Sequence, residues 1–445
     1  MKFKRLSCIL TICAALLLTS CGESNSERSA GTAAAADGGA FGGGLKAEEG
    51  YAEAPAVDDA VGGAADSFES VSDGSASGGD YAAEDTIAVG DYKTEEEFYI
   101  EPHISTQNQA HAGLLTSGEW CDNKNYDFWT NLLTNRQDEW SYIPTRWNLN
   151  TLNRVAVTVT SNQQPAENIT VKLLSGNTVI WESVTDNSGA AYLFSGFDNN
   201  NQYQPTKVVA EYNGSVLAEA EYSQGGEIAL EVQSQSSVKG LDLMFVIDTT
   251  GSMGDELSYL QTELTNIVDR VVSKNNIPVR LSVNFYRDVD DDYVVRSFEF
   301  TDNISSAVRD LNNQYASGGG DYEEAVEEAL SDAVYNHKWD DNNTKLMFLV
   351  LDAPPHCTSN NSDVLTSTIT AASAEGIRII PVASSGVDTE TEYLCRSFAV
   401  ATGGTYTFLT DHSGVGGSHL EPTIGYYQVE KLNDMIVRII ESYIE

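Results

Sequence analysis

Residues 241–254 read LDLMFVIDTTGSMG, and this stretch is the strongest fold signal in the chain. Its first seven residues are almost entirely apolar and do not alternate with polar ones, which is expected of a strand buried on both faces. The strand runs directly into an oxygen-rich turn that begins at Asp248. Such a strand is typical of the centre of a parallel sheet.

Strands and helices alternate on the C-terminal side of this stretch. Apolar residues first recur at helical spacing over residues 257–271. The pattern then predicts strands at 279–286, 345–351, 377–382 and 405–409, and helices at 321–335, 362–374, 390–401 and 429–443. This alternation predicts an α/β fold, with a doubly wound, mostly parallel, Rossmann-like sheet over residues 237–445. Residues 293–300 interrupt it and are predicted to form an antiparallel edge strand.

Three oxygen-rich turns follow strands or precede helices in this part of the chain. Their donors are Asp248, Thr250 and Ser252 in the first turn, Asp321 after a run of glycines, and Asp352 after the strand at 345–351. Ligands of open α/β sheets lie beyond the carboxyl ends of the strands, where these turns are expected to meet. Hard oxygen donors suit Mg²⁺, Mn²⁺ or Ca²⁺. A lone Asp-x-Thr-x-Ser turn is often only a helix N-cap, but the other two loops favour a metal site.

These loops resemble those of the von Willebrand factor type A (VWA) family. The adhesion site of that family combines Asp-x-Ser-x-Ser with a Thr from a second loop and an Asp from a third. Asp248, Thr250 and Ser252 match the first motif, with Thr in place of one Ser, and Asp352 matches the third loop. The second loop resembles a Gly-Gly-Gly-Asp subtype in which Asp321 replaces the Thr, and this departure adds a carboxylate.

The resemblance implies a metal-ion-dependent adhesion site. Mg²⁺ takes six ligands and keeps several waters, so one position is expected to stay open to a Glu or Asp of a protein ligand. The family also couples ligand binding to movement of the C-terminal helix, here residues 429–443. The resemblance therefore implies binding of a protein or matrix ligand and no catalysis.

The N-terminus reads as an export signal. Basic residues at positions 2, 4 and 5 precede an apolar run at 6–18 that is too short to span a bilayer, so residues 1–20 are predicted to be a signal peptide. The following Leu-Thr-Ser-Cys resembles the bacterial lipobox, which implies that Cys21 is lipidated and anchors the protein to a membrane on its extracytoplasmic side. An ordinary signal peptide, with Cys21 as a bystander, is the alternative.

Residues 21–98 are rich in Ala, Gly, Ser, Asp and Glu, which predicts a disordered acidic linker behind the lipidated Cys. A flexible coil of this length spans roughly 50 Å. The net charge of −41 argues against nucleic acid as a partner, because a polyanion repels phosphate. The same charge attracts divalent cations.

Two further segments precede the α/β region. Residues 99–150 contain four tryptophans and are predicted to pack against the next domain, with a helix at 126–133; an aromatic binding surface is the alternative. Residues 151–236 contain short runs of β-branched residues separated by turn signals such as those at 186–189. They predict a small all-β sandwich similar to carboxypeptidase-regulatory-like or Ig-like modules, which usually act as spacers.

The cysteines leave one question open. Export allows disulfides, and Cys357 with Cys395 is a possible pair that leaves Cys121 over. Free thiols at these positions are an equally good interpretation.

Other motifs favour structural interpretations. Residues 288–299 imitate the spacing of a calcium loop, but Tyr293 stands where Gly is required, so a hairpin turn is favoured. His356 is expected to cap a turn near Asp352. Zinc-protease, nucleophile-elbow and Walker A motifs are absent from the sequence, which argues against the common hydrolases. Two alternatives stay open: an accessory subunit of an enzyme complex, and a structural lipoprotein whose ion only stabilises the fold.

Overall fold

The computed structural model describes residues 110–136, 138–199, 202–233, 238–275 and 277–445. The predicted signal peptide, the lipidation site at Cys21 and the acidic linker all lie outside these residues. In the described part of the chain, no helix is both long enough and apolar enough to cross a membrane.

The described residues form sixteen strands and eight α-helices. The strands are β1 (Thr116–Trp120), β2 (Arg154–Ser161), β3 (Gln164–Pro165), β4 (Thr170–Ser175), β5 (Thr178–Val184), β6 (Ala190–Phe194), β7 (Lys207–Tyr212), β8 (Ser215–Glu221), β9 (Glu227–Val232), β10 (Gly240–Asp248), β11 (Val279–Tyr286), β12 (Val295–Arg296), β13 (Asn343–Leu351), β14 (Ile377–Ala383), β15 (Tyr406–Leu409) and β16 (Glu430–Lys431). The helices are α1 (Tyr126–Asn135), α2 (Ile143–Arg146), α3 (Leu257–Lys274), α4 (Ile304–Asn312), α5 (Val326–Tyr335), α6 (Ser359–Glu375), α7 (Thr389–Thr402) and α8 (Leu432–Ile444).

The main sheet has eight strands in the order β12-β11-β10-β13-β14-β15-β1-β16. Strands β11, β10, β13, β14 and β15 are mutually parallel. At one edge β12 pairs antiparallel with β11, and at the other edge β1 pairs antiparallel with both β15 and β16. Successive residues of β10 point to opposite faces. Met244 and Val246 pack with α5, α6 and α7, while Phe245 and Ile247 pack with α3, α4 and α8. The predicted doubly wound, mostly parallel α/β sheet is thus confirmed.

Two differences from the predicted elements lie near the edge β11–β12. Helix α4 was not predicted, although the side chain of Asn303 caps it by accepting from the Ser306 amide. The helix predicted at 321–335 begins only at Val326, because Glu324 forms an isolated parallel bridge with Pro355 and cannot be helical there. Of residues 293–300, only Val295–Arg296 pairs with β11, and it does so antiparallel.

The all-β part consists of two four-stranded sheets that share one core. One sheet has the order β3-β2-β6 with β9 paired to β2, and the other has the order β5-β4-β7-β8. Inward-facing residues such as Val157, Leu173 and Leu193 are at most 1% exposed. Aromatic rings close the core, with the centroid of Trp181 4.8 Å from that of Phe197. Helix α6 packs on β5, so this module rests on the helical layer of the main sheet.

The tryptophan-rich segment is built into the main fold. Its strand β1 lies between β15 and β16, and helix α1 forms where a helix was predicted. Trp129, Trp140 and Trp147 are at most 2% exposed, and the Trp129 ring stacks on Tyr393 of α7 at 5.9 Å. These three tryptophans are therefore core residues, and the ring on which Trp129 stacks belongs to α7, which packs on the main sheet, whereas the segment was expected to pack against the all-β domain.

A buried ion pair fixes this segment to α7. The guanidinium of Arg396 is fully buried and donates to both carboxylate oxygens of Asp122, at 2.7 and 2.8 Å. It also donates to Glu392 at 2.9 Å. A buried cation needs such partners, because removing one of them leaves charge in a medium that solvates it poorly.

We predict that Asp122→Ala lowers the free energy of unfolding of the full chain by about 3–5 kcal/mol, because Arg396 loses its bidentate partner. Urea denaturation followed by tryptophan fluorescence measures this change. Asp127→Ala is the matched control, since Asp127 is an exposed acid of the same segment and its loss is expected to cost about 0.5 kcal/mol. Equal losses in the two variants would contradict the assigned role of the ion pair.

Candidate metal centre

Three loops meet at the carboxyl edge of the main sheet. Strands β10 and β13 are adjacent and parallel, with Ile247 opposite Val350, so the loops that leave them emerge side by side. The first loop starts at Asp248 and the third at Asp352. The second loop, which contains the three glycines, is bound to the first by two backbone hydrogen bonds, from Ser317 to Thr249 at 3.0 Å and from Gly251 to Gly318 at 3.1 Å.

Asp248 is fully buried, and one of its oxygens shapes the first loop. Oδ1 accepts hydrogen bonds from the amide of Thr250 at 2.8 Å and from its hydroxyl at 2.6 Å. The Thr250 hydroxyl lies 3.1 Å from that of Ser252. The second oxygen, Oδ2, is buried and has no hydrogen-bond partner among the described residues. The buried Tyr286 hydroxyl lies near the Asp248 carboxylate and opposes the rise in its pKa that burial causes, so Oδ2 is available to a cation beside that hydroxyl.

Asp352 occupies the equivalent position in the third loop. It is 3% exposed, and its Oδ1 also lacks a hydrogen-bond partner in the described part of the chain. Burial raises the pKa of Asp352, and the Ser252 hydroxyl opposes this rise. Burial likewise raises the pKa of Asp248, and the nearby Asp352 raises it further. Two buried carboxyl groups thus lie close enough to disfavour each other's ionised form.

The glycine run brings a third carboxyl group to the same place. Gly318 and Gly319 have φ values of +86° and +76°, a region in which residues with a Cβ are strained. A Cβ on Gly319 would lie 3.0 Å from Oε1 of Glu324 and 3.6 Å from the Cβ of Thr250. The backbone therefore passes closely between the first loop and Glu324.

Glu324 is the residue that the sequence analysis missed. It is 3% exposed, and its Oε2 has no hydrogen-bond partner among the described residues. Its amide donates to the carbonyl of Pro354 at 2.9 Å, which fixes the second loop to the third. Burial, followed by the charges of Asp248, Asp288 and Asp352, raises the pKa of Glu324 to about 9. No local sequence pattern points to Glu324, because its position depends on where α5 begins.

Asp321, the predicted donor of the second loop, has a different environment. Its side chain is 61% exposed, and Oδ2 lies 3.5 Å from Nε2 of His356. It lines a surface cavity of about 470 Å³ together with Ser252, Tyr322, Glu324, Asp352 and Ser385. The structure thus brings all the predicted loops to one cavity, and it places Asp321 at the exposed side and Glu324 at the buried side.

The buried arginine of this region braces the loops and leaves the carboxyl groups unpaired. Arg287 is 2% exposed and donates to the carbonyls of Thr249 at 3.2 Å and Tyr315 at 3.0 Å. Among the described Lys, Arg and His side chains, none forms an ion pair with Asp248, Glu324 or Asp352. By contrast, the nearby buried Glu256 is paired with His419 at 3.0 Å.

This donor set fits a hard divalent cation. Three buried carboxyl groups each offer an oxygen without a partner, and the hydroxyls of Thr250 and Ser252 lie beside them. Buried carboxylates without a cation or donors are strongly destabilising, and Mg²⁺, Mn²⁺ and Ca²⁺ all prefer oxygen ligands. The described residues bring three donor atoms of Asp, Glu, His or Cys within 4.8 Å of one another only at Asp288, Asp321 and His356, so a cation at Asp248, Glu324 and Asp352 would reach part of this set through water, as Mg²⁺ often does.

The possible disulfide does not form in this structure. Cys357 and Cys395 are both free thiols, as is Cys121. Cys395 is buried in α7, whereas the Sγ of Cys357 accepts a hydrogen bond from Nε of Arg146 at 3.2 Å. Of the two interpretations left open by the sequence, the structure has the free thiols.

We predict that Glu324→Gln weakens Mg²⁺ binding by roughly tenfold to a hundredfold, because the amide removes an anionic oxygen from the buried side of the site. Asp321→Asn, the matched change at the exposed side, is expected to change the affinity by less than about threefold. Calorimetric titration of the full chain with Mg²⁺ measures both. The reverse order of effects would assign the second-loop ligand to Asp321, as the sequence resemblance implies.

A family model and several known proteins match part of this chain. The von Willebrand factor A domain family model matches residues 242–415. The chain is 35% identical over 123 residues to an ariadne-like RING finger protein of Acanthamoeba polyphaga mimivirus, which covers 28% of this chain and 12% of that protein. It is 27% identical over 139 residues to the alpha-protein kinase vwkA of Dictyostelium discoideum, which covers 31% of this chain and 22% of the kinase. The chain thus spans less than a quarter of either relative.

A solved structure was also matched. The conserved hypothetical protein BatB of Bacteroides thetaiotaomicron superimposes with a TM-score of 0.31 at 14% identity, over 46% of this chain and 98% of that one. The family model covers most of the main sheet and all three loops, so the α/β part of this chain is similar to von Willebrand factor A domains over residues 242–415.

Proposed function

We propose that this protein is a binding protein of the cell envelope whose VWA domain captures a protein or matrix ligand through a divalent cation. A VWA domain points to a protein-interaction role. The proposal adds the dependence on a cation, the acidic side chain that the ligand supplies, and a lipid anchor at Cys21. It assigns no catalytic activity to the chain.

One observation carries the cation dependence: the three unpartnered carboxyl oxygens Asp248 Oδ2, Glu324 Oε2 and Asp352 Oδ1. Charges of one sign repel each other in a poorly solvated site, and burial, followed by the charges of Asp248, Asp288 and Asp352, raises the pKa of Glu324 to about 9. A fold that brings such groups together without an internal cation needs either protonation or a bound metal ion. The hydroxyls of Thr250 and Ser252, which lie beside Asp248, add neutral oxygen ligands and so favour a bound metal ion over protonation.

Each group has a separate part in this arrangement. Asp248, Asp352 and Glu324 would hold the cation from the buried side, while the hydroxyls of Thr250 and Ser252 add neutral oxygens. When bound, the cation supplies a positively charged acceptor for an anionic oxygen of the ligand. Asp248 Oδ1 holds the first loop in shape through Thr250 and keeps these donors in place.

The cavity above these residues gives the ligand access. Ser252 is exposed, Tyr322 is 41% exposed, and the Tyr322 hydroxyl donates to the carbonyl of Gly386 at 3.0 Å. The rim therefore joins the second loop to the segment after β14. A cavity of about 470 Å³ is large enough for one acidic side chain of a partner, and the rim offers tyrosine and serine hydroxyls to its neighbours.

The location rests on the sequence of the first 98 residues, which lie outside the described residues. A lipidated Cys21 would hold the chain at the membrane, and the acidic stretch after it would act as a stalk. The strong negative charge of the chain keeps it away from anionic lipid except at the anchor. The binding domain would then face outward from the extracytoplasmic side of the membrane.

We predict that ligand capture requires both the cation and Asp248. The full chain is purified in detergent from cell envelopes in Mg²⁺ or in EDTA, and the retained proteins are quantified. At least one partner is expected to fall by tenfold or more in EDTA and in Asp248→Asn, because the cation loses a ligand. Asp302→Asn is the control, since it removes the same charge from an exposed acid outside the cavity and should leave capture unchanged.

Two outcomes would contradict this prediction. Partners that stay bound in EDTA would remove the cation from the binding mechanism. Partners that stay bound to Asp248→Asn, while its unfolding midpoint no longer rises with Mg²⁺, would show that the ion only stabilises the fold.

We predict that Cys21 carries the lipid. Cells grown with radiolabelled palmitate should label the wild-type chain and leave Cys21→Ser unlabelled, because the thiol is the acceptor in the lipobox interpretation. The variant should also lose its anchorage and move to the soluble fraction on lysis. Cys121→Ser is the matched control, and it should keep both the label and the membrane fraction. Unlabelled wild-type protein, or a labelled Cys21→Ser variant, would contradict the anchor.

A further inference from the structure

A second cluster of metal-binding side chains lies beside the carboxyl groups described above. It consists of Asp288, which follows β11, Asp321 in the glycine-rich loop, and His356 in the loop after β13. Nδ1 of His356 is 3.7 Å from Oδ1 of Asp288, and its Nε2 is 3.5 Å from Oδ2 of Asp321. One donor atom from each residue can be chosen so that all three lie within 4.8 Å of one another.

Asp288 is the buried member of this cluster. It is 7% exposed, and its Oδ1 has no hydrogen-bond partner among the described residues. This is the oxygen that faces His356. Glu327, on the first turn of α5, lies close to the same group and also has a buried unpartnered oxygen, Oε2. Burial raises the pKa of Glu327 to about 7, while the charge of His356 lowers it and that of Asp288 raises it.

An ion pair alone does not satisfy these groups. The ring nitrogens of His356 make no hydrogen bond to either carboxylate, since both separations exceed ordinary N–H···O distances. The two separations involve different ring nitrogens of His356, and one ion can bind only one of them. The spacing that bears on a shared ion is therefore that of one donor atom from each residue, all within 4.8 Å of one another. A tetrahedral metal ion with bonds of about 2.0–2.1 Å holds its ligand atoms about 3.3 Å apart, so binding would draw these side chains together by small movements.

We propose that Asp288, Asp321 and His356 form a second metal site that prefers Zn²⁺ or a similar transition metal. The imidazole nitrogen distinguishes it from the oxygen-only site of Asp248, Glu324 and Asp352, because nitrogen donors favour such metals over Mg²⁺ and Ca²⁺. This inference goes beyond the proposed function and stands if that function fails.

The position of the cluster gives it a consequence for binding. Three protein ligands leave at least one coordination position for water or for an incoming group. Asp321 also lines the cavity above the first site, and both Asp321 and His356 reach the surface. A metal ion held here adds positive charge to the rim of that cavity, where an acidic ligand would approach.

The test is a titration of the full chain with Zn²⁺ in the presence of millimolar Mg²⁺, which occupies the oxygen-only site. One Zn²⁺ should bind, and His356→Ala and Asp288→Asn should each weaken it by tenfold or more, because each loses a direct ligand. His111→Ala is the matched control, since His111 is exposed and lies outside the cluster, and it should bind Zn²⁺ like the wild type.

Further variants keep the test decisive. Asp321→Asn changes an exposed side chain, so it should fold normally and still weaken Zn²⁺ by tenfold or more. Asp248→Asn should keep its Zn²⁺ affinity, which separates this site from the first. No Zn²⁺ binding by the wild type, or equal binding by the wild type and by folded His356→Ala and Asp321→Asn, would overturn the proposal. Loss of Mg²⁺ binding alone would count only against the proposed function.

Discussion

The parallel pairing of β10 and β13 is the constraint on which the rest of the site depends. Because Ile247 lies opposite Val350, the two strands end side by side, with Asp248 as the last residue of β10 and Asp352 as the first residue after β13. A sheet buried on both faces leaves these carboxyl groups no water to face, as their exposures of 0% and 3% show. The packing that stabilises the strands therefore also concentrates negative charge at their ends.

The remaining loops are arranged around that charge without neutralising it. Arg287 donates to the backbone carbonyls of Thr249 and Tyr315, so it holds two loops together and forms no ion pair with the carboxyl groups. Elsewhere the fold does provide cations for buried acids, as Arg396 does for Asp122. The contrast lies in the ion pairing: single carboxylate oxygens without a hydrogen-bond partner also occur at Glu327, Asp332 and Glu392, whereas Asp248, Glu324 and Asp352 have no cationic side chain paired with them among the described residues. An external cation is the simplest group that completes this site.

Much of the fold follows from the periodicity of the sequence. The run at 241–247 and the alternating segments after it predict the strands and helices of the sheet, because burial on two faces leaves a clear apolar pattern. Strand β1 shows no such apolar pattern. It joins the sheet by pairing with β15, from which it is separated by almost three hundred residues in sequence. Non-local pairing of this kind is invisible to a local pattern.

The site was predictable to the level of its loops and less so to the level of single residues. Asp248 and Asp352 were identified because they directly follow recognisable strands. Glu324 was missed because the start of α5 moved from residue 321 to Val326, and only the bridge to Pro355 explains that shift. His356 was expected to cap a turn, whereas its ring lies between Asp288 and Asp321. Both errors arise from side-chain directions in irregular loops, which spacing alone does not determine.

The most direct measurement of the central claim is the anomalous scattering of Mn²⁺ in crystals of the protein. The account predicts a peak within about 4.5 Å of Asp248 Oδ2, Glu324 Oε2 and Asp352 Oδ1, a distance that covers direct bonds and bonds through one water. No peak there at saturating Mn²⁺, with the three side chains in the positions described, would contradict the claim that these oxygens hold a cation.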